Sequence, residues 1–274
     1  MEQINMILQD KVVVVTGGAG LIGKGFIESI VQHGGIGVIA DINLEAAKAA
    51  KQAICEKLTN SSSQQLASDI STRIDCVMLD IISKTSLEQA IETIHTHYGK
   101  IDALVNNAYP RTAMWGKKNF FEVEYEDFCA NINLQMGGYF LSSQQFAKYF
   151  KKQGFGNIIS MSSIQGVYAP KFDTYIGTQM DSPIEYSMIK AGICHMTRYM
   201  AKYLANTGIR ANAIAPGGIL DNQPQSFLAR YRKHCTSKGM LDPQDLSGTL
   251  IFLLSDASLY INGQVIVVDD GWGL

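Results

Sequence analysis

Tyr186 and Lys190 stand four residues apart in a stretch, 184–206, whose apolar spacing predicts a helix, so the two side chains share one face. A phenol at its ordinary pKa of about 10 is a poor proton carrier near neutrality. An ammonium beneath it favours the phenolate and brings that exchange within range. Ser163, upstream, offers a hydroxyl that holds a carbonyl or alcohol oxygen while the phenol moves the proton. That is the protein's share of a hydride transfer, and the other share belongs to a nicotinamide. Ordinary helix surface produces the same Tyr/Lys spacing, so the pair takes its weight from what precedes it in chain order: a glycine-rich turn, Asn133 and Ser163.

The turn reads TGGAGLIG over 16–23, between an apolar run and a helical pattern. Gly17, Gly20 and Gly23 permit a tight turn, close approach of a pyrophosphate and close helix–strand packing. The helix start at Leu21 and Ile22 offers amides to the phosphates. A plain strand-to-helix turn uses glycine too, but the first such junction of the chain is where a dinucleotide site belongs. Asp41 follows Gly23 by 18 residues, at the end of the second apolar run. There a carboxylate accepts from the adenosine ribose hydroxyls and repels a 2′-phosphate, which selects NAD over NADP. The competing role for Asp41 is a cap on the helix that begins near Leu44. Asp80, followed by Ile81, ends the third run and is placed to meet the adenine edge or to cap the next helix.

Short apolar runs at 12–16, 37–40, 75–79, 102–105, 157–160, 210–214 and 265–268 read as buried strands. Helical patterns at 22–33, 44–58, 84–98, 125–152, 184–206 and 243–255 lie between them. Such alternation demands parallel pairing with helices on both faces. The expected fold is a Rossmann-type, doubly wound, seven-stranded parallel sheet, with 1–274 as a single α/β domain. Three stretches break the rhythm: a polar one at 60–69, expected to be a surface loop, and long ones at 109–120 and 165–183. The two long loops follow the fourth and fifth strands, at the sheet end where this architecture binds ligands. They combine Trp115, Tyr168, Phe172 and Tyr175 with Arg111, Lys117, Lys118 and Lys171. That mixture suits a polar, anionic sugar derivative, although loop cations also serve simply as solvated surface.

At 46% hydrophobic and 18% charged, the chain can bury a substantial core, and its net charge of −2 gives no electrostatic case for nucleic acid or an anionic membrane. The five cysteines (55, 76, 129, 194, 235) lack metal-ligand spacing, so reduced thiols and no metal site are expected. Residues 1–10 carry Glu2 and Asp10 and lack a signal layout, and no apolar run approaches the roughly 20 residues that span a bilayer. A cytoplasmic location is expected.

The motifs in order resemble the short-chain dehydrogenase/reductase family over essentially the whole chain. They are TGGAGLIG at 16–23, Asp80, Asn106-Asn107-Ala108, Ile132-Asn133-Leu134, Ser162-Ser163, Tyr186 with Lys190, Pro216-Gly217 and Val268-Asp269. The resemblance implies a catalytic tetrad of Asn133, Ser163, Tyr186 and Lys190. Tyr186 would be the acid/base and Ser163 the holder of the reacting oxygen. Lys190 would acidify the phenol and hold the nicotinamide ribose, and Asn133 would order the helix and a relay water. Ser163 is preferred to Ser162 because it stands three residues before Gly166, though the neighbours can exchange duties. Asn107, Ala108, Pro216, Gly217 and Ile219 are implied cofactor contacts, and the long helices imply a homotetramer or homodimer. For that interface the apolar Phe140, Phe146, Met196 and Met200 are the candidates, with core packing as the alternative.

Four departures stand out. Leu21 occupies a usual glycine position and Gly20 takes over, a spacing more typical of the long, sugar-nucleotide-modifying branch. Tyr109 replaces the glycine after Asn-Asn-Ala, the gap from Ser163 to Tyr186 is enlarged, and Asp221 replaces a threonine after Pro216-Gly217. The run NNAYPR, the long loop, PGGILDNQ at 216–223 and VDDG at 268–271 resemble a bacterial subset tied to flagellin glycosylation and nonulosonic acid pathways. The expected activity is NAD-dependent alcohol–carbonyl interconversion on a sugar or sugar nucleotide. An epimerase or dehydratase that retains its NAD, and a non-catalytic NAD-binding scaffold, are the alternatives.

Overall fold

The computed structural model describes residues 6–60 and 70–274. The strands are β1 (Val12–Thr16), β2 (Ile36–Asp41), β3 (Ile74–Met78), β4 (Ala103–Asn106), β5 (Gly156–Met161), β6 (Ile209–Pro216) and β7 (Val265–Val268). The helices are α1 (Leu21–Gln32), α2 (Leu44–Asn60), α3 (Lys84–Tyr98), α4 (Tyr125–Ile132), α5 (Gly138–Gln153), α6 (Ile184–Tyr203), α7 (Gln225–Arg232) and α8 (Ser247–Leu254). The expected surface loop at 60–69 lies outside the described residues, apart from Asn60 at the end of α2, as do residues 1–5 of the N-terminal stretch.

All seven strands are parallel, in the order β3-β2-β1-β4-β5-β6-β7. The order reverses between β1 and β4, and the crevice at that switch point is where a doubly wound sheet holds its ligand. β1 shows why the sheet must be covered on both sides. Its residues are buried throughout, with Val13 and Val15 packed among Phe26 and Ile30 of α1 and Leu250 of α8. Val12 and Val14 pack on the opposite face with Leu87 of α3, Phe146 of α5 and Ile193 of α6. Each buried valine contributes about 1.5–3 kcal/mol relative to exposure. No half-solvated sheet could accommodate that run.

Two helical expectations change. The stretch at 125–152 is α4 and α5 joined through a π turn, Asn133–Gly137, which inserts an extra residue into the helical register. Gly138 opens α5 against Ile81 of the β3–α3 turn, so close that an added Cβ would lie 2.5 Å from Ile81 Cδ1. The stretch at 243–255 begins as a 3-10 turn, Pro243–Leu246, before α8. α7 had no counterpart in the sequence reading. It is short, and its buried anchors are Phe227 and Tyr231, one helical turn apart. The chain beyond β6 adds β7 to the same sheet. Among the described residues no helix is long and apolar enough to cross a membrane.

Candidate active site

A cavity of about 610 Å³ opens at the carboxyl ends of the central strands. Its cofactor end is built on Thr16, the last residue of β1. The Thr16 hydroxyl accepts the amides of Asn107 (3.0 Å) and Ala108 (3.2 Å), while the Asn107 side chain donates to the Thr16 and Gly17 carbonyls, both at 3.1 Å. These bonds lock the end of β4 onto the glycine turn. Gly17 has φ +62°, and a Cβ there would lie 2.8 Å from Ala108 Cα, so only glycine fits. Gly23 packs directly against the Gly17 carbonyl and Gly18.

α1 starts with neither a side-chain cap nor an acidic residue in its first turn. Its orphan amides and the positive end of its dipole are therefore left for an anion, which suits a dinucleotide pyrophosphate. Asp41 lines the same end. Its carboxylate accepts the amides of Ala19 (3.3 Å) and Asn43 (3.1 Å), and it is Asn43 whose side chain accepts from Ala46 at the start of α2 (3.0 Å). The capping duty falls to Asn43, so Asp41 keeps its face toward the cavity. These residues fit the adenosine half of a nicotinamide dinucleotide.

Gly17, Gly20, Leu21, Ile22, Asp41, Asn107, Pro216, Gly217 and Ile219 line the cavity with Ser163, Tyr186 and Lys190. Gly23, Asp80, Ile81, Ala108 and Asn133 do not. Asp80 accepts the Ile82 amide at 3.0 Å while its own amide donates to Ser86, Ile81 is buried under Gly138, and Gly23 and Ala108 support the turn from behind.

The adjacent serines divide their work. Ser162 donates to the Lys190 carbonyl at 2.8 Å and lies 3.0 Å from Cys194 Sγ, which fastens β5 to α6. Ser163 heads a 3-10 turn, accepts the Gln165 amide at 3.2 Å and hydrogen-bonds with Tyr186. Burial pushes the Tyr186 phenol up, the Ser163 bond pulls it down, and Tyr175 adds a smaller upward push. Lys190 is 4% exposed, and its ammonium donates to the Met161 carbonyl at 2.9 Å, 5.6 Å from the ring centroids of Tyr109, Tyr139 and Tyr186. Burial brings Lys190 down to about 8. The lysine thus shares a face with the tyrosine as its spacing requires, but its head group reaches the Met161 carbonyl, and burial dominates the phenol.

Asn133 stands apart from the other three, exposed on the π turn. Two residues on, Gln135 is 1% exposed and neither atom of its amide has a partner among the described residues.

At the substrate end, the Tyr109 ring meets Tyr186 edge-on at 6.0 Å and Trp115 at 5.6 Å, with Arg111 5.2 Å above it. Arg111, Lys171 and Tyr175 line the cavity, whereas Lys117, Lys118, Tyr168 and Phe172 do not. Gln165, Thr174, Phe227, Tyr231 and Trp272 also line the cavity and had not been marked from the sequence. Gln165 receives Ser182 at 2.7 Å and Ser187 at 3.2 Å and donates to the Tyr175 hydroxyl at 3.2 Å, which ties the long loop to α6. All five cysteines are free.

Residues 22–273 match the family model described as enoyl-(acyl carrier protein) reductase, a short-chain dehydrogenase/reductase model. The chain is 49% identical over 267 residues to post-translational flagellin modification protein A of Campylobacter coli, covering 97% of this chain and 100% of that one. It is 32% identical over 278 residues to 2-dehydro-3-deoxy-D-gluconate 5-dehydrogenase of Dickeya dadantii, covering 97% and 96%. A crystal structure of a short chain dehydrogenase from Leptospira borgpetersenii serovar Hardjo-bovis with bound NAD+ superposes with a TM-score of 0.82 at 29% identity, covering 100% and 97%. The glycine turn, the Ser/Tyr/Lys cavity and these likenesses agree: the chain belongs to the short-chain dehydrogenase/reductase family, oxidoreductases that act on CH–OH groups.

Proposed function

We propose that the protein interconverts an alcohol and a carbonyl on a polar, anionic sugar derivative, with NAD(H) as its redox partner. The observation that carries this reading is one cavity holding Ser163, Tyr186 and Lys190 between the Asp41 end and Arg111. The nicotinamide supplies the hydride acceptor or donor. Ser163 binds the reacting oxygen, and Tyr186 takes or returns the proton at its hydroxyl. Lys190, protonated below about 8, keeps positive charge near the phenol and is placed to meet the nicotinamide ribose. Asp41 favours NAD, because no Lys or Arg stands in 16–23 or 42–44 to neutralise a 2′-phosphate. Arg111 has no carboxylate partner among the described residues and is available to an anionic substrate. The sugar-acid activity named for the Dickeya relative and the flagellin modification named for the Campylobacter relative support the same substrate class.

NADH formation with a panel of sugar acids, sugar phosphates, sugar nucleotides, neutral sugars, aliphatic alcohols and steroids tests the reading. Tyr186→Phe should keep NADH affinity and lose about two orders of magnitude or more in turnover. Normal turnover in that variant, or neutral aliphatic and steroid alcohols outperforming every sugar, would overturn it.

We also propose that the protein works in the cytoplasm as a homotetramer or homodimer. Phe140 of α5 and Tyr199 and Tyr203 of α6 are 53%, 62% and 75% exposed, and the two tyrosines stack on one another at 5.8 Å. Phe146 is fully buried in the core, and Met196 and Met200 pack against it, so the apolar surface on offer is smaller than the sequence suggested.

A further inference from the structure

Three cations line the cavity, and two of them are committed within the chain. Lys171 donates to the Trp272 carbonyl at 2.6 Å and Lys190 to the Met161 carbonyl at 2.9 Å. Arg111 is the third. Among the described residues its guanidinium makes no hydrogen bond or ion pair, and Asp41 and Asp221, carboxylates of the same cavity, leave it alone. What it does meet is Tyr109: its Cζ lies 5.2 Å from the centre of that ring. Both residues are exposed as well as lining the cavity, so a solute reaches them directly.

A guanidinium that merely decorated the surface would swing freely, whereas this one has a fixed seat. The segment that carries it is pinned at both ends. The Ala108 amide donates to the Thr16 hydroxyl at 3.2 Å, and the Thr112 amide donates to the side chain of Asn131 at 3.0 Å. Asn131 is fully buried and donates back to the Thr112 hydroxyl at 3.2 Å. Between these anchors the Tyr109 ring meets Trp115 at 5.6 Å and Tyr186 at 6.0 Å, and Trp115 meets Tyr186 at 6.1 Å, every pair edge-on. The Trp115 indole also donates to the Tyr109 hydroxyl. A ring held on its edges and at its hydroxyl cannot turn, and the cation above it keeps its place. The φ of Tyr109 is not positive, so the backbone makes no demand for glycine there, and the ring is this chain's own addition. A planar fork of uncommitted donors, one ring away from the Tyr186 phenol, matches the oxygens of a carboxylate or a phosphate.

We propose that Arg111 is the specificity-determining residue for an acidic oxygen group of the substrate, a carboxylate or a phosphate ester, and that Tyr109 is the positioning residue that holds it at the Tyr186 end of the cavity. The inference rests on the sugar-derivative reading above and adds to it the group recognised and the device that fixes its recognition.

The test compares the parent chain with Arg111→Leu, Tyr109→Phe, Tyr109→Leu and the Arg111→Leu/Tyr109→Leu double variant on a neutral sugar, the matching aldonic acid and the matching sugar phosphate. The parent should prefer an acidic substrate, and Arg111→Leu should lower that preference by about tenfold or more, through KM. The arm that loses it, acid or phosphate, identifies the group. Tyr109→Phe keeps the ring and should keep the preference, whereas Tyr109→Leu should lower it about threefold. The double variant should match Arg111→Leu alone, because no guanidinium remains to be held. A purely structural Tyr109 would instead lower turnover of acidic and neutral substrates alike in both backgrounds, which overturns its positioning role. NADH affinity by fluorescence titration reports an intact cofactor end, and if Tyr109→Leu loses it, Arg111→Leu and Tyr109→Phe decide. A parent without the preference, or an Arg111→Leu variant that keeps it or weakens NADH binding instead, overturns the assignment of Arg111. A parent chain that turns over none of the three fails the sugar-derivative reading instead. Arg111 is then judged by calorimetric binding of the same compounds to the NADH complex: weaker binding of the acidic ones in Arg111→Leu upholds its role, and equal or absent binding overturns it.

Discussion

Gly166 decides how closely Ser163 and α6 approach, and a single methyl there should separate them. A Cβ at this position would lie 2.5 Å from the Lys190 carbonyl carbon, 2.6 Å from its oxygen and 2.8 Å from Ser162 Oγ. Ordinary van der Waals contact begins near 3.4 Å, so the 3-10 turn and the helix must part by about 1 Å. The obstructing atoms are mostly backbone inside α6 and cannot swing away as a side-chain tip would. The 2.8 Å bond from Ser162 to the Lys190 carbonyl is strained first, and the Ser163–Tyr186 pairing follows because both partners ride on the displaced elements. A misplacement of about 1 Å in a reacting constellation costs on the order of 100-fold in rate. Overpacking of this kind costs about 1–3 kcal/mol of stability. Gly166→Ala should therefore fold, melt some degrees lower and lose about two orders of magnitude in kcat on the best substrate of the panel. Steady-state kinetics and a thermal melt read both numbers. A Gly166→Ala enzyme with kcat within about twofold of the parent would refute the idea that this contact sets the Ser163–Tyr186 geometry.

Other outcomes follow from the same geometry. NAD(H) should bind at least about tenfold, or 1.4 kcal/mol, tighter than NADP(H), with the margin shrinking in Asp41→Asn; equal affinities in the parent would remove the role given to Asp41. Burial holds Lys190 near 8 against an ordinary 10.5, so between those values the unfolded chain binds the proton that the folded chain has released. Stability referenced to Lys190→Met should then rise with pH across that window, by up to about 3 kcal/mol, with the penalty complete below it; urea midpoints flat in pH relative to that variant would contradict the burial effect. Gly248, exposed in the first turn of α8 with nothing within 4 Å of an added Cβ, should accept alanine with a gain of up to about 1 kcal/mol in a urea titration, the opposite sign to Gly166→Ala. Light scattering at micromolar concentration should give a dimer or tetramer, and a monomer would end the proposed use of Phe140, Tyr199 and Tyr203.

What the sequence made legible was whatever depends on local period and on chain order. A run such as VVVVT has no stable place except a strand covered on both faces, and six comparable runs separated by helical patterns leave few arrangements but the doubly wound sheet. The glycine turn and Asp41 were readable for the same reason, since each sits at a strand end that the fold brings to one crevice. Asn133 and Gln135 mark where this reasoning stops. Helical spacing assumes a constant turn, and the π turn at Asn133–Gly137 adds a residue that no periodicity in the sequence announces, so the burial of Gln135 could not be read from spacing, whereas Asn133 was marked by its motif. Trp272 lay beyond reach for a different reason. Its place in the cavity depends on Lys171, 101 residues earlier, on the stacking of Tyr231, and on Asp269 and Asp270 folding the last residues back. None of those contacts has a sequence period. Motifs recur because chemistry at the reacting carbon and at the dinucleotide constrains spacing along one element. The rest of the cavity wall is assembled across loops and a terminus, where spacing carries no signal and only the folded chain brings the residues together.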